Sequence, residues 1–583
     1  MSKKTVLLIL LYVLISVLYL AGIRWGLPNQ ARYDLVLAPG QQGKPLYERM
    51  AQSRELLFDN AAIFTATKSL TKTLAPDMRT LQNGARLIEN DERSFPYYMS
   101  FARSFLLRTI EPDITNIFNA FAAVHPGKGD FFPDNFMYGL VFVGLYGGIL
   151  FLLSLLNLVV LSHDVVFYLL HIGELAALYL SLRIFSLIVT GISAFLVYHI
   201  MRSRAERFWA HTACLLYLLL PVTIMMTYEV KPHSLALLFL LAGMYMLGRI
   251  YARRGQRVPY RLFVMAGAAF ACSVGTVPTS LALVGVFCLE AGYMLQVYRK
   301  GSGCRGGYGV MLIVLFLLSM GFFVYAFIYP NAFMTEIAKQ QRFYPVVWAM
   351  AVPSVSLWIQ QLLSASSIPF MLCAVTGMIA DRRFWVRYVL LAGASAGMFF
   401  KFYRIAFALR FSVVIVPVCV IAAIWFLRLI WQRNRWAGAL LLVVVFCSTG
   451  RAALSTAYDF YVESRPDAPR VRAGQWINAH VPKEAAVGMS KLPTNYNVPP
   501  FRLYDHPLYI GPFSVGSLPA GERPAYYILT DRDGSIDARL CETSGWQLVQ
   551  TFSASTIFLG GHAKKILPYV NPNIYIFKQK AMP

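Results

Sequence analysis

Charged residues are scarce in this sequence: Asp, Glu, Lys and Arg together fill 14% of its 583 positions. Soluble domains usually carry about 25% charged residues. Hydrophobic residues reach 57%, mean hydropathy is +0.53, and long apolar runs recur along the chain. The composition therefore excludes an ordinary soluble domain and indicates a polytopic membrane protein.

Acidic residues are the scarcer charge, with 29 Asp and Glu against 53 Lys and Arg, which gives a net charge of +24. In a soluble protein this excess would suggest binding to nucleic acid. Here the basic residues cluster in short loops between apolar runs, which is the pattern of loops kept in the cytoplasm. Membrane topology explains the charge better, and we expect no nucleic-acid partner.

Cysteine spacing indicates neither a disulfide framework nor a metal-binding motif. Cys304 lies in a basic loop and Cys541 in the polar tail, while the other cysteines lie in or beside apolar runs. The first apolar run, 5–23, follows Lys3 and Lys4 without a clear small-residue cleavage site. We therefore interpret it as a retained anchor rather than a signal peptide.

We predict an all-α polytopic membrane bundle of about 13 transmembrane helices within residues 1–450. Residues 166–200 fit either one long span or a tight pair. A pair places Lys3 and Lys4 on the same side as the later basic loops, as the positive-inside rule requires, whereas one span separates them. We therefore predict the pair and a cytoplasmic N-terminus. The predicted spans are 5–23, 139–161, 166–181, 183–200, 210–227, 233–250, 261–276, 279–297, 308–329, 361–380, 386–400, 411–430 and 436–450.

This topology places the long first loop (24–138) and the tail (451–583) outside the cytoplasm, in a plasma membrane such as the bacterial inner membrane. Between residues 41 and 105 the loop is polar and mostly helical in pattern. In the tail a helical period covers 470–481. Strand patterns follow at 524–530, 546–552 and 573–578. The tail is therefore predicted to be a separate extracytoplasmic α/β domain of about 130 residues.

The stretch that directly follows the first span, Trp25–Asp34 (WGLPNQARYD), contains the first candidate for chemistry. Trp25 is typical of an anchor at the headgroup level, and Pro28 ends the preceding helix. Asp34 would then lie at the membrane surface, where a carboxylate can act as a base on a membrane-bound substrate. The alternative is a structural role, in which Asp34 caps a helix or pairs with Arg32.

A second candidate carboxylate, Asp113, lies later in the first loop, in the segment TIEPDITNIFNAF. Pro112 suits the first turn of a helix, and apolar residues then recur at helical spacing over 114–122. Such a helix would lie along the membrane surface. Asp113 fits a charge at the start of this helix, and it stays an alternative catalytic residue.

Further ionisable residues stand beside spans on the outer side, where burying a charge in lipid is costly. They are Arg183, the turn residues Glu229, Lys231 and His233, and the later group Lys401, Arg404 and Arg410. Cations near a carboxylate suit transfer from a phosphate-bearing donor to a hydroxyl, because they stabilise charge on the leaving phosphate. For the later group the alternative is snorkelling at helix ends.

The order of these features resembles the multi-pass C-type (GT-C) glycosyltransferase superfamily, which includes the protein O-mannosyltransferases and the lipid A aminoarabinose transferase. In that superfamily an acidic motif follows the first span closely, and the segment WGLP followed by Arg32, Tyr33 and Asp34 is similar to it. The other similar segments are Phe131–Pro133 with Tyr138, Arg183–Ser186, Pro221–His233 and Arg410–Pro417.

The resemblance implies a membrane glycosyltransferase that transfers a hexose or pentose. Its donor would be a polyprenyl-phosphate-linked sugar, and its acceptor would be a lipid, glycan or protein outside the cytoplasm. Asp34 would be the base of an inverting transfer. Lys401, Arg404 and Arg410 would bind the phosphate of the donor.

Two departures from the family pattern bear on this assignment. Leu35 replaces the second acid of the first motif, and Glu229 is the nearest carboxylate to the later acidic position. No cofactor is assigned, and a divalent metal stays open although the motif lacks paired acids. Two other classes also stay open: a transporter or flippase for a lipid-linked substrate, which would favour internal repeats that we do not find, and a catalytically silent scaffold.

Overall fold

The computed structural model describes residues 3–38, 40, 42–59, 78–81, 83–111, 114–123, 138–253, 258–298, 302–331, 333–335, 338, 351–381, 385–402, 410, 413, 415–513, 522–533, 545–554 and 562–580. The chain divides into two compact units. The first unit comprises Met1–Ile23, Asn116–Leu152 and Leu182–Ala457, and the second comprises Arg24–Thr115, Leu153–Ser181 and Tyr458–Pro583.

The first unit is built from helices. Those that lie wholly or mostly in it are Lys3–Ala21, Ile114–Ala123, Leu140–Leu155, Ile172–Arg202, Arg207–Leu218, Pro221–Tyr228, Pro232–Ala252, Tyr260–Thr276, Leu281–Tyr298, Ser302–Phe322, Tyr325–Ile328, Ala351–Ser364, Ile368–Ala380, Trp385–Phe402, Ile415–Arg433 and Arg435–Glu463, with a 3-10 turn at Pro278–Ser280. The prediction that this part of the chain is helical is confirmed.

Five helices among the described residues are long and apolar enough to cross a membrane, or up to seven if each of two bent pairs is one span. The predicted number of about 13 is therefore not confirmed. Some predicted spans are shorter as helices than the roughly 20 residues that a bilayer requires. Leu140–Leu155 has 16 residues and Tyr260–Thr276 has 17.

The predicted pair of spans over 166–200 is wrong. A short helix, Val165–Leu170, is followed by one continuous helix, Ile172–Arg202, of 31 residues. The hydroxyls of Ser181, Thr190 and Ser193 bond back to carbonyls four residues earlier in the same helix, as Thr190 does to Ser186 (3.0 Å), so they do not interrupt it. At about 1.5 Å per residue the helix is about 47 Å long, which exceeds one bilayer core.

The two bent pairs have identifiable causes. Arg207–Leu218 and Pro221–Tyr228 meet at 55°, and Pro221 begins the second helix because it has no N–H to continue the first. Ser356–Ser364 and Ile368–Ala380 meet at 112°, where the hydroxyl of Ser367 accepts a hydrogen bond from the N–H of Phe370 (3.4 Å). Breaks of this kind interrupt the predicted spans 210–227 and 361–380.

The second unit contains a mixed seven-stranded sheet. Its strands are β1 (Met78–Thr80), β2 (Arg86–Ile88), β3 (Val487–Met489), β4 (Leu508–Ile510), β5 (Tyr526–Thr530), β6 (Trp546–Phe552) and β7 (Ile574–Gln579). The strand order is β1-β2-β4-β3-β5-β7-β6. β3 pairs in parallel with β4 and β5, and the other pairs are antiparallel. The strands predicted in the tail are present as β5, β6 and β7.

Helices of the second unit share an apolar core with this sheet. They are Gln30–Val36, Lys44–Asp59, Phe95–Leu107, Val165–Leu170 and Pro469–His480, with 3-10 turns at Leu503–Asp505, Asp531–Asp533 and Ala563–Lys565. The core combines residues from distant segments, including Tyr33, Phe105, Leu169, Ile477 and Ile528. The hydroxyl of Tyr98 donates to the carbonyls of Ile88 (3.0 Å) and His506 (2.8 Å), which ties the first loop to the tail.

The second unit therefore differs from the domain division expected at residue 450. Residues 24–115 and 153–181 belong with the tail, and β1 and β2 lie in the loop expected to be mostly helical. Each of these strands has only three residues, so neither shows an alternation that distinguishes it from a helical pattern. β2 is instead defined by its pairing with β4 of the tail, in which Leu87 is opposite Tyr509 in the antiparallel ladder.

The shared sheet constrains the topology. Strands that exchange main-chain hydrogen bonds occupy one compartment, because an open sheet edge is not stable in lipid. β2 pairs with β4, so the chain crosses a membrane an even number of times between them. Leu169 belongs to the same core, so we expect an even number of crossings between residues 115 and 153 as well. The prediction placed one crossing at 139–161 and two over 166–200. Removing the first and one of the other two changes the count by two, so the predicted sides of the later loops stay the same.

This topology predicts the outcome of reporter fusions. A reporter after Arg305 should be cytoplasmic, whereas reporters after Gln475 and within the β1–β2 turn at Gly84 should both be extracytoplasmic, because the first loop and the tail share one sheet. Alkaline phosphatase and fluorescent-protein fusions measure the two locations. The same side for Arg305 and Gln475 would mean that the crossings between them are miscounted by an odd number.

Candidate functional site

Asp34 lies on the helix Gln30–Val36, whose N-terminus is capped by Asn29. The Asp34 side chain is on the exposed face of this helix. Its Oδ1 accepts hydrogen bonds from the side-chain amides of Gln42 (3.0 Å) and Gln30 (2.9 Å). These bonds lower the pKa of Asp34 because they stabilise the ionised carboxylate. At neutral pH Asp34 is therefore ionised and accessible to solvent.

Arg32 is buried and does not pair with Asp34. Its Nη1 donates to the carbonyls of Phe105 (3.2 Å) and Arg108 (2.9 Å), and its Nη2 donates to the carbonyl of Gly26 (3.1 Å). These bonds fasten the Asp34 helix to the end of the helix Phe95–Leu107. Asp34 therefore has neither of the structural roles considered for it: it does not cap this helix, and it does not pair with Arg32.

Trp25 takes part in a buried network instead of anchoring at the headgroup level. Its Nε1 donates to Oε2 of Glu463 (2.8 Å), and its ring packs edge-on against Phe460 at 4.8 Å between centroids. Glu463 also accepts from Nε of Arg470 (2.6 Å) and from the main-chain N–H of Asn571 (2.7 Å). The predicted anchor role of Trp25 is therefore wrong, because its indole N–H is satisfied inside the second unit.

The first unit buries most of the other described candidate residues. Arg183, Glu229, Lys231, His233 and Arg410 are all less than one tenth exposed. Snorkelling requires the charged end of a side chain to reach water, so burial argues against that alternative for Arg410. Ionisable groups at such depth are rare in helical membrane proteins and occur where charge is used.

Contacts within the first unit place two of these segments at the end of the first helix. Nη1 of Arg183 donates to the carbonyl of Ile23 (2.8 Å). The hydroxyl of Tyr228, which precedes Glu229, donates to the carbonyl of Tyr19 (2.8 Å). Arg183 and the turn beginning at Glu229 therefore lie near the same helix terminus.

A small cavity joins the remaining segment to this region. Val413, three residues after Arg410, and Ser234, next to His233, both line it. Thr190, two helical turns after Arg183, lines it as well and exchanges a hydrogen bond with Thr227 (2.9 Å). The structure therefore brings together the segments that carry Arg183, Glu229 to His233, and Arg410.

Three candidate side chains lie outside what the structure describes. Asp113 and Arg404 are outside the described residues, and Lys401 is described only as part of the helix Trp385–Phe402. Their predicted roles therefore stay predictions, as does that of Asp34 as a base.

Sequence reasoning missed three buried carboxylates among the described residues of the second unit, Glu111, Asp459 and Glu463. Glu111 is fully buried and lies two residues before Asp113; the segment TIEPD carries both acids, and only the second was considered. Glu463 is the last residue of the helix Arg435–Glu463, and Arg470 lies in the first turn of the next helix; the segment YVESRPDAPR contains both. That pattern indicates an ion pair, but only the structure shows that it is buried.

No group of three or more His, Cys, Asp or Glu side chains that could hold a metal occurs among the described residues. A divalent metal is therefore not assigned.

Comparison with known proteins gives partial structural similarity. No protein-family model matches the chain, and no curated protein matches it either. The similar solved structures include the oligosaccharyltransferase of Archaeoglobus fulgidus tethered through a disulfide bond to an acceptor peptide that contains the NVT sequon. Identity to it is 12%, the match covers 66% of this chain and 58% of that one, and the TM-score is 0.40.

Two further structures of the A. fulgidus enzyme are also similar. One, AglB with an inhibitory peptide and a dolichol-phosphate, is 13% identical over 66% of this chain and 57% of that one, with a TM-score of 0.39. The other, a complex with Zn and sulfate, is 13% identical over 59% and 47%, with a TM-score of 0.34. This chain spans less than two thirds of their length. At these values the similarity carries no functional argument.

Proposed function

We propose that this protein is an integral-membrane glycosyltransferase, which moves a hexose or pentose from a polyprenyl-phosphate donor to a lipid, glycan or protein acceptor outside the cytoplasm. The observation that supports this most is the buried set Arg183, Glu229, Lys231, His233 and Arg410 in a unit of membrane-length helices. Keeping such groups out of water costs free energy, which binding a charged substrate offsets.

In this proposal the cations bind the donor. The phosphate of a polyprenyl-phosphate sugar lies at the headgroup level, and Lys401, Arg404 and Arg410 occupy or border the short connection between the helices Trp385–Phe402 and Ile415–Arg433. Guanidinium and ammonium groups would stabilise the negative charge that develops on the leaving phosphate. The buried position of Arg410 strengthens such a contact, because a less polar surrounding screens charge less.

Asp34 is the proposed base. An inverting transfer needs a carboxylate that takes the proton from the attacking hydroxyl of the acceptor while the phosphate leaves. Asp34 is ionised at neutral pH and open to solvent, so it can accept that proton. The second unit, which carries Asp34 and the tail, is proposed to lie outside the cytoplasm, where the acceptor is.

A catalytically silent scaffold is the second candidate. It is favoured by the surroundings of Asp34, whose Oδ1 is engaged by Gln30 and Gln42 and which has Leu35 in place of a second acid. In a scaffold the buried charges of the first unit would serve structure alone, and binding of a phosphate donor would be absent.

Donor binding separates the two candidates. One charge-assisted contact to phosphate contributes about 1.5–3 kcal/mol, so at least one of Lys401→Ala, Arg404→Ala and Arg410→Ala should weaken binding of a polyprenyl-phosphate analogue by roughly ten- to a hundredfold. Binding is measured with the purified protein in nanodiscs. Arg433→Ala, at the far end of the helix Ile415–Arg433, is the matched control and should bind normally. Unchanged binding in all three variants and in the triple variant would favour the scaffold.

A further inference from the structure

The second unit contains a cavity that the proposed roles of Asp34 and the donor cations leave unused. Its volume is about 390 Å³, within the range of roughly 300–1,000 Å³ that small-molecule sites occupy. Its polar lining comes from the arginines Arg24, Arg32, Arg465 and Arg470, the single acid Glu463, and the side chains of Asn29, Gln30, Ser464 and Asn495. Asp34 does not line it.

The charges around this cavity do not balance. Arg470 pairs with Glu463 (2.6 Å), and Arg465 pairs with Asp467 (2.9 Å). Among the described residues neither Arg24 nor Arg32 contacts a carboxylate. Arg24 is exposed to the cavity, whereas Arg32 is buried and binds only main-chain carbonyls.

The electrostatic surroundings of Arg32 agree with this imbalance. Burial, and then the nearby charge of Arg470, lower the pKa of Arg32 to about 10, although the carboxylate of Glu463 acts in the opposite direction. A group whose charged form is disfavoured in this way gains from an anion placed beside it. A negatively charged ligand beside Arg24 and Arg32 would therefore balance their positive charge.

A helix start adds to the positive potential of the cavity. The helix Pro469–His480 has Ala468 at its N-cap, which offers no side-chain acceptor, and Arg470 and Val471 of its first turn line the cavity. First-turn N–H groups carry partial positive charge and bind oxyanions. The amides of Asn29 and Gln30 and the hydroxyl of Ser464 are groups that can hydrogen-bond sugar hydroxyls.

We propose that this cavity binds a saccharide that carries an oxyanion, as a carboxylate or a phosphate. Arg24 and Arg32 bind the anionic group, and the amides beside them bind the ring hydroxyls. That this saccharide is the acceptor of the transfer rests on the proposed function. That the cavity binds such a saccharide does not rest on it. Charge selects the class: a neutral sugar leaves Arg24 and Arg32 without a carboxylate or phosphate in contact.

Direct binding tests this assignment on the full-length protein in nanodiscs, with glucuronate, glucose 6-phosphate and glucose as probes. Glucuronate or glucose 6-phosphate should bind measurably by calorimetry, and glucose should bind at least about tenfold more weakly, which corresponds to one lost charge-assisted contact. Arg24→Gln should reduce binding of the charged probe by about tenfold. Arg24 is exposed, so Arg24→Gln should fold. A second variant, Arg32→Lys, keeps the positive charge but replaces the planar guanidinium and its paired N–H donors with an ammonium group.

The matched control is Arg472→Gln, which removes one charge from the same helix at a residue that bonds the carbonyl of Ser553 and does not line the cavity. Preference for glucuronate identifies a carboxylate ligand and preference for glucose 6-phosphate a phosphate ligand; either supports the assignment. Equal binding of all three probes, no binding of either charged probe, or an equal effect of Arg24→Gln and Arg472→Gln overturns it. Asp34→Asn should leave this binding unchanged, so loss of transfer and loss of the cavity site are separate results.

Discussion

Asp34→Asn is expected to reduce sugar transfer by roughly two to four orders of magnitude, the usual contribution of a general base. The asparagine side chain has nearly the same shape but cannot accept the proton of the attacking hydroxyl. Expression and folding should persist, because Asp34 is exposed and makes only side-chain hydrogen bonds to two glutamines. Transfer is measured with a radiolabelled polyprenyl-phosphate sugar in proteoliposomes.

The matched control is Asp113→Asn, which should be mild. The reverse pattern, a mild Asp34→Asn and a severe Asp113→Asn, would move the role of the base to Asp113. The pH profile gives a second readout. Hydrogen bonds from Gln42 and Gln30 lower the pKa of Asp34, so transfer should be retained above that pKa and lost as pH falls through it, below the ordinary value of about 3.9. Gln42→Leu removes one of these donors and should move the acid limb to higher pH.

Glu463→Gln is expected to lower the free energy of unfolding by about 3–5 kcal/mol, the effect of removing one partner from a buried ion pair. Glu463 and Arg470 have side-chain exposures of 1% and 3%, and the carboxylate also accepts from Trp25 and from the N–H of Asn571. The variant leaves the guanidinium of Arg470 buried without its counter-charge. Urea unfolding followed by tryptophan fluorescence measures the change.

A neighbouring ion pair provides the control for this effect. Arg465 and Asp467 have side-chain exposures of 48% and 59%, and exposed pairs contribute about 0–1 kcal/mol. Asp467→Asn should therefore have little effect on unfolding. Equal small losses in Glu463→Gln and Asp467→Asn would show that burial does not decide the strength of the Glu463 pair.

Part of the candidate site was predictable from residue type and order. Burying a charge in lipid is costly wherever it occurs, so Arg183, Glu229 and Arg410 attract attention from the sequence alone. That they are buried in one region follows from packing: Val413, Ser234 and Thr190 line one small cavity. No local pattern relates residues that are more than two hundred positions apart.

The surroundings of Asp34 show the opposite case. Its position behind the first apolar run is visible in the sequence, but the partners that set its pKa are not. Gln42 lies beyond the end of the Asp34 helix, and its amide reaches Asp34 only because the chain turns back there. Arg32, the neighbour in sequence, faces the main chain of a different helix.

The sequence by itself determined the membrane character of this protein, the helical nature of its first unit, and the presence of strands in its tail. These follow from hydropathy and periodicity, which are local properties of consecutive residues. Tertiary structure alone decided which segments belong together: β1 and β2 join the sheet of the tail, and Ile172–Arg202 is one helix. A three-residue strand is stable only when a distant partner completes its hydrogen bonds, as β4 does for β2, and that partner cannot be read from neighbouring residues.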